Sequence, residues 1–294
     1  MITSRLALGT AQFGLNYGIA NTNGQIAESA IRQIPNNATL ADINTLDTAM
    51  DYGYSEEYLG NAGVSGWNVI TKLPELPKDI VDIECWVNKQ VNKSLSKLGV
   101  SNIYGLMLHK PTQLLHSNKG KDMWSAVIKL KKCGLVKKIG YSIYDPSELK
   151  NLWDEFQPDI VQAPYNIIDR RLKSSGWLSK LYNNNVEVHV RSIFLQGLLL
   201  MNKDQRPKKF NKWSLLWQIW EQWLIEQQLT ALDACLAFAY SDKRISRIVV
   251  GVDSCSHLEQ ILEYRNANPL FLNFPKELES KEVNLINPSN WGNL

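Results

Sequence analysis

The sequence predicts an α/β protein, a single (β/α)8 barrel across residues 1–294, on three observations. Eight short apolar runs recur along the whole chain, each branched enough to be a parallel strand buried on both faces. Stretches with helical spacing separate them, and that alternation is what closes a barrel. No G-x-G-x-x-G turn follows any run, which disfavours the runner-up, a doubly wound sheet. The length suits one barrel, and no linker, repeat or low-complexity block divides it.

In chain order, the first strand candidate is Arg5–Thr10 and the second Asn44–Ala49. The third, Asn68–Leu73, leads to a helix whose apolar stripe is Ile83, Val87, Val91, Leu95 and Leu98, spaced to share one face. The fourth, Ile103–His109, is followed by a second stripe, Trp124, Val127, Ile128 and Leu130. After the fifth, Lys137–Ile143, the run Asp145-Pro146-Ser147-Glu148 opens a helix, with proline in its first turn. The sixth and seventh are Ile160–Asn166 and Val186–Ser192. Trp213, Trp217, Trp220 and Trp223, with Leu216 and Leu224, then mark the buried face of a helix covering the barrel. Lys208–Lys212 just before them is expected in a loop over the barrel mouth, bringing Phe210 or Trp213 to a ligand. The eighth strand, Arg247–Val252, precedes a helix carrying Leu258, Ile261 and Leu262. From about residue 266 the chain is rich in Asn and Pro and is expected to be irregular, packed on the barrel exterior or rim.

Bulk properties narrow the function. A hydrophobic fraction of 44% is that of a soluble globular chain with a full core. A net charge of +3 is too mild to imply a nucleic-acid or membrane partner. The five lysines from Lys129 to Lys138 read as the solvated face of a helix and the start of a strand. Cys85, Cys133, Cys235 and Cys255 form no C-x-x-C pair and fit no zinc spacing, so they are read as reduced, mostly buried thiols and no metal is expected. The N-terminus lacks a signal-peptide layout, and Leu198–Met201 is far too short an apolar run to span a bilayer. The expected location is cytoplasmic.

Active sites of this fold lie where strands end and the following loops begin. Asp47, Lys72 and His109 stand at three such ends, and Tyr52 lies on the loop after one. Each has a plainer reading alone: a capping Asp47, a Lys72 paired with Asp47 or Glu75, a rim Tyr52, a hydrogen-bonded His109. Together at matching strand ends they read as a proton-transfer site. A phenol is a poor acid near neutrality, with a reference pKa of about 10. A neighbouring Lys72 ammonium is expected to lower that value, with Asp47 holding the lysine in place. His109 would hydrogen-bond a carbonyl oxygen beside Tyr52.

The run Asp47-Thr48-Ala49-Met50-Asp51-Tyr52-Gly53-Tyr54-Ser55-Glu56, followed by a strand-end Lys72 and a strand-end His109, resembles the signature of the aldo-keto reductases, and the resemblance covers almost the full chain. It implies an NAD(P)H-dependent oxidoreductase passing hydride between a nicotinamide and an aldehyde, ketone or sugar carbonyl, with Tyr52 as general acid and base. The partner implied is a small carbonyl or alcohol. The resemblance places Gly9 and Thr10 beside the nicotinamide and gives Ser142 and Gln162 its carboxamide; the usual Asn after Ser142 is Ile143 here. Arg191 takes the position of a ring-stacking aromatic. Ser192, Leu195 and Gly197 fall along the pyrophosphate, and Gly251, Val252, His257 and Gln260 at the adenosine end. The family-weighted cofactor is NADP(H), with NAD(H) the alternative, because no Lys or Arg occupies the nearest positions and Asp253 is acidic. His257, Arg244 or Arg247 is the remaining source of a phosphate contact, and Ser254 is either a ligand or the cap of the last helix. Two other readings stay open: a catalytically silent cofactor-binding regulatory subunit, and a Schiff-base lysine at Lys72.

Overall fold

The computed structural model describes residues 4–21, 24–266 and 272–294. Eight strands form one closed parallel barrel in sequence order: β1 (Leu6–Gly9), β2 (Thr45–Asp47), β3 (Asn68–Leu73), β4 (Ile103–Leu108), β5 (Val136–Ser142), β6 (Ile160–Pro164), β7 (Glu187–Arg191) and β8 (Arg247–Gly251). β1 closes the ring by pairing with both β2 and β8. Each strand coincides with one of the eight apolar runs: most are trimmed at their ends, β3 matches its run, and β5 begins one residue earlier at Val136. Their near-total burial explains why the runs carry no polar alternation.

The register decides which side chains face the barrel axis. Gly9 pairs with Asp47 and Gly251, Lys72 with Met107, Ser142 with Gln162, and Pro164 with Arg191. Ile70, Met107 and Ile160 form a small apolar cluster in the interior, with Met107 at the register level of Lys72.

The predicted helices form at Ile83–Leu98, Ser117–Lys132, Ser147–Leu152, Ser214–Gln227 and Cys255–Asn266. Asp145 and Glu148 fix the start of Ser147–Leu152, accepting from the backbone N–H groups of Ser147 and of Tyr144 and Asp145 respectively. A helix over Glu28–Leu40 lies between β1 and β2, where the sequence offers an internal proline, Pro35. It persists because Ile31, Ile34 and Ala38 are buried against the barrel, offsetting the hydrogen bond Pro35 cannot make. The thiols differ from expectation: Cys85 and Cys133 are exposed, Cys255 is half-buried and Cys235 alone is buried. Cys85 sits on the solvent side of a helix first turn and Cys133 just past a helix end.

The tryptophan stripe is buried as predicted, and its ring nitrogens find acceptors. Trp213 donates to Glu282 (2.8 Å), Trp217 to the Phe210 carbonyl (3.0 Å) and Trp220 to the Leu199 carbonyl (3.3 Å). Left unpaired, each buried N–H would cost about 1–3 kcal/mol. Phe210 and Trp213 line neither of the two cavities at the barrel mouth. Phe210 is fully buried with its ring 4.9 Å from that of Trp291, so the C-terminal segment covers these residues and keeps them from any ligand. Among the described residues no helix is long and apolar enough to cross a membrane.

Candidate active site

The structure brings Asp47, Tyr52, Lys72 and His109 together at the C-terminal mouth of the barrel. Asp47 is the last residue of β2, Lys72 the next to last of β3, and His109 directly follows β4. Lys72 is 1% exposed, and its three N–H donors are all committed: to Asp47 Oδ1 (3.0 Å), Asp47 Oδ2 (2.9 Å) and the Thr48 carbonyl (2.9 Å). Gln162 donates to Asp47 Oδ1 (2.7 Å) and accepts from Ser142 Oγ (3.2 Å). A buried chain Ser142–Gln162–Asp47–Lys72 thus runs beneath the mouth.

Tyr52 stands above this chain. The Lys72 amine lies 5.2 Å from the centre of the Tyr52 ring, and the His109 ring meets it edge-on at 5.8 Å. Among the described residues none hydrogen-bonds the Tyr52 hydroxyl. The loop holding it is clamped through its backbone. Tyr52 donates to the Ala49 carbonyl and accepts from Ser55 N–H, while Ser55 Oγ donates to the Thr10 carbonyl (3.0 Å). Gly14 supplies the tightest contact: a Cβ built there would lie 1.7 Å from the Tyr52 carbonyl oxygen, so only a bare Cα fits.

The electrostatics of Tyr52 run opposite to the expectation. Burial pushes its phenol well above the ordinary value, with the Asp47 charge adding to the rise. Only the Arg191 charge offsets this; the field of Lys72 is cancelled by its Asp47 partner, and burial lowers its own amine. Tyr52 is therefore held as an acid. His109 is pushed down to about 4 by burial and by the positive charges of Lys72 and Arg191, so it is neutral and able to donate one hydrogen bond. Its Nδ1 lies 3.8 Å from Asp51 Oδ2.

Two cavities adjoin these residues, one at Asp47 and Tyr52 and the other at His109. A cleft of about 750 Å³ starts at Asp47 and Tyr52, passes Gly9, Thr10 and Arg191, and continues to Asp253, His257 and Gln260. A smaller cavity of about 340 Å³ is lined by Asp51, Pro74, Glu75, His109, Lys110 and Tyr144. Of the residues the sequence assigns to a cofactor, Gly9, Thr10, Arg191, Ser192, Gly197, Gly251, His257 and Gln260 line the large cleft. Ser142 and Gln162 lie beneath it in the hydrogen-bonded chain, and Leu195 and Val252 are buried behind its wall. Arg191 donates to the Ile143 carbonyl (3.0 Å) and to Ser192 Oγ (3.2 Å), with its guanidinium 4.8 Å from the Tyr144 ring centre.

The loop after β7 is tightly curled, with Ser192, Leu195, Gln196 and Gly197 all at positive φ (59°, 48°, 54° and 87°). Three non-glycine residues in that region within six positions is the kind of strain that collects at ligand sites. The loop after β1 reaches over to it: Ala20 N–H donates to the Gln196 carbonyl (3.4 Å), and a Cβ on Gly197 would lie 2.4 Å from Ala20 Cβ. The sequence reading missed Gln12, Tyr17, Asn21, Asn202 and Thr230, which also line the cleft. Gln12 lies in the short helix Ala11–Gly14 and the others on loops or at a helix start, with no local pattern to mark them. Arg244 and Arg247 do not reach the cleft. Arg247 opens β8 at the opposite end of the barrel and donates to Thr45 Oγ1, while Arg244 is held by Asp242 and Ser179. Ser254 accepts from His257 N–H (3.2 Å) and is the cap of the last helix.

Comparison with known proteins gives a consistent placement. A profile described as the aldo/keto reductase family matches residues 5–281. The NADH-specific methylglyoxal reductase of Escherichia coli (strain K12) is 25% identical over 222 residues, covering 67% of this chain. The match spans 65% of that relative's length, just under two thirds. An aldo-keto reductase from Bacillus halodurans, solved in its holo form, aligns with a TM-score of 0.75 at 20% identity, covering 94% of this chain and 91% of that one. A protein from Pseudomonas aeruginosa assigned as an aldo-keto reductase aligns at 0.65 and 19% identity, covering 89% of each chain. These two structures speak for the fold. The family profile runs over nearly the whole sequence, and the chain belongs to the aldo/keto reductase family.

Proposed function

We propose that this protein reduces the carbonyl group of small hydrophilic aldehydes or ketones, with Tyr52 as the proton donor and NADH as the reductant. The observation that carries this reading is a protonated Tyr52, its hydroxyl uncommitted, placed between the large cleft and the His109 cavity.

Two features support the large cleft as a dinucleotide site. Its backbone is bare at Gly9, Gly197 and Gly251; a Cβ on Gly197 would collide with Ala20, while one on Gly9 or Gly251 would press on the Val249 side chain or the flexible end of Gln12. Asp253, at its far end, keeps a buried carboxylate oxygen with no hydrogen-bond partner. When bound, a reduced nicotinamide supplies the hydride that no side chain can carry. Gly9, Thr10 and Arg191 would flank it at the Tyr52 end. Ser192 and Gly197 would lie along the pyrophosphate, and Gly251, His257 and Gln260 beside the adenosine.

The protein's own residues supply the rest. His109 donates a hydrogen bond that orients the carbonyl oxygen toward Tyr52, and Tyr52 delivers its proton to that oxygen as charge builds there. Lys72, fixed by Asp47, forms the floor beneath the Tyr52 ring, and the nearby Arg191 charge favours the phenolate left behind. The cavity beside His109 has charged and polar walls at Asp51, Glu75, Lys110 and Tyr144, which favours small oxygenated carbonyls over apolar ones.

NADH replaces NADP(H) as the favoured cofactor. Among the described residues lining the cleft, Arg191 is the only Lys or Arg, and it is engaged at the Tyr52 end by Ile143, Ser192 and Tyr144. NADH consumption with a panel of small aldehydes, followed by absorbance, tests the whole reading. Tyr52→Phe should lose reduction by about 10²–10⁴-fold while binding dinucleotide normally. A Tyr52→Phe protein with wild-type turnover would remove the proton donor and with it the proposal.

A further inference from the structure

We infer that Asp253 is the residue that chooses the cofactor, its carboxylate accepting the ribose hydroxyls of the adenosine half and repelling a 2′-phosphate. The inference rests on reading the large cleft as the dinucleotide site, and adds a selecting residue to it.

Geometry assigns the end of the cleft. The reactive ring must lie at Tyr52, so the other half of a dinucleotide extends past β1 and β8 to Asp253, His257 and Gln260. Asp253 stands two residues beyond the end of β8, half-buried, at the turn where the last helix begins. Its Oδ1 is buried with no hydrogen-bond partner in the protein. Its Oδ2 lies 3.8 Å from His257 Nδ1, too far for a hydrogen bond. Burial raises the Asp253 acid, with the His257 ring and the Gln12 amide partly offsetting the rise. This carboxylate is therefore poorly satisfied by its own chain.

A vicinal diol is the group that repairs such a deficit. Its two O–H groups donate to a carboxylate, and a charged acceptor makes those hydrogen bonds strong. A 2′-phosphate removes one donor and places like charges together in a partly buried site, where repulsion is weakly screened. The same division operates in doubly wound dinucleotide folds, where an acidic residue takes the ribose hydroxyl and an arginine takes the phosphate. The described residues lining this end offer no Lys or Arg to neutralise a phosphate: Thr230 and Gln260 are neutral, and Arg244 and Arg247 face the other end of the barrel.

Equilibrium titration of the intact protein with NADH and with NADPH, read by calorimetry, tests this without reference to turnover. The wild type should bind NADH at least about tenfold more tightly, equivalent to about 1.4 kcal/mol. Asp253→Asn, which keeps the shape, should bind NADH more weakly and NADPH more strongly, closing that gap; Asp253→Ser should do the same. Equal affinities in the wild type, a preference for NADPH, or a ratio unchanged in both variants would overturn the assignment. Turnover retained in Tyr52→Phe alongside the expected binding shifts would leave Asp253 as the selector and sink only the catalytic reading. Failure of both dinucleotides to bind the wild type would sink the two together.

Discussion

Both ends of the barrel carry a carboxylate, an ammonium, a phenol and an imidazole, yet they differ in what those groups are free to do. At the C-terminal mouth the set is Asp47, Lys72, Tyr52 and His109. Toward the N-terminal end it is Glu187, Lys138, Tyr104 and His189. In the lower set Tyr104 donates to Glu187 Oε1 (2.7 Å), Lys138 contacts the same oxygen (2.8 Å), and His189 Nε2 lies 3.4 Å from Glu187 Oε2. Burial opposes the Glu187 charge, but its contacts with His189, Lys138 and Tyr104 outweigh that and hold it at about 2. None of the four lines either cavity described above. In the upper set the ion pair is equally tight, but the phenol hydroxyl is left over and faces a cleft. The same four group types make a structural cluster when the phenol is spent on the carboxylate, and a candidate reaction centre when the phenol is left over.

The largest expected contrast is catalytic. Tyr52→Phe should cost about 10²–10⁴-fold in reductive turnover, whereas Tyr104→Phe should stay within about twofold. Equal losses at the two positions, measured by steady-state kinetics, would break the distinction.

Stability should separate the two ends next. Lys72→Met leaves Asp47, 4% exposed, as a buried charge without its counter-ion, and should lower unfolding free energy by about 3–5 kcal/mol. Lys138→Met removes one of several partners of a carboxylate still 25% exposed, and should cost about 1 kcal/mol or less. Urea titrations of both variants give the comparison.

Acid should then expose the buried imidazoles. Burial lowers both His109 and His189 below the ordinary value of about 6.5. The unfolded chain therefore takes up protons first as pH falls, and stability present at neutrality declines below about pH 6.5. For His109, at about 4, the loss at pH 5.5 is about 1 kcal/mol, and His109→Gln should remove it from a thermal-melting series. Glu187 acts lower, its contribution lasting until the pH drops from about 4.3 toward 2. A His109→Gln protein with an unchanged acid profile would contradict the burial of a neutral ring.

The smallest effect is an absence of slope. With Tyr52 raised and His109 lowered, kcat/KM for reduction should stay level between about pH 6 and 9. A limb inside that range would show that a different group titrates.

Much of this was readable before any coordinates. All eight strands follow from buried branched runs, and the tetrad follows from four chemistries arriving in order at strand ends. Tyr104, Lys138, Glu187 and His189 carry the same chemistries at the starts and middles of strands, and position along the strand is what separates the two sets. The phenol's acidity was misread because it depends chiefly on how deeply the ring is buried, which a sequence does not reveal. The Glu28–Leu40 helix was hidden by Pro35, since tertiary burial overrides local propensity. Gln12, in a single-turn helix, and Asn202 and Thr230, at segment starts, were missed because such residues are gathered by topology and carry no period of their own.

The final stretch of chain acts as a brace. Lys209 Nζ donates to the Trp291 carbonyl 82 positions further along, Trp291 rests on Phe210, and Trp217 and Trp220 pass that support to Leu199. Leu200 and Asn202, the next neighbours, belong to the cleft wall. Trimming the last few residues, though they touch no ligand, would let that wall sag, and the damage would register as weakened dinucleotide affinity before any loss of the barrel itself.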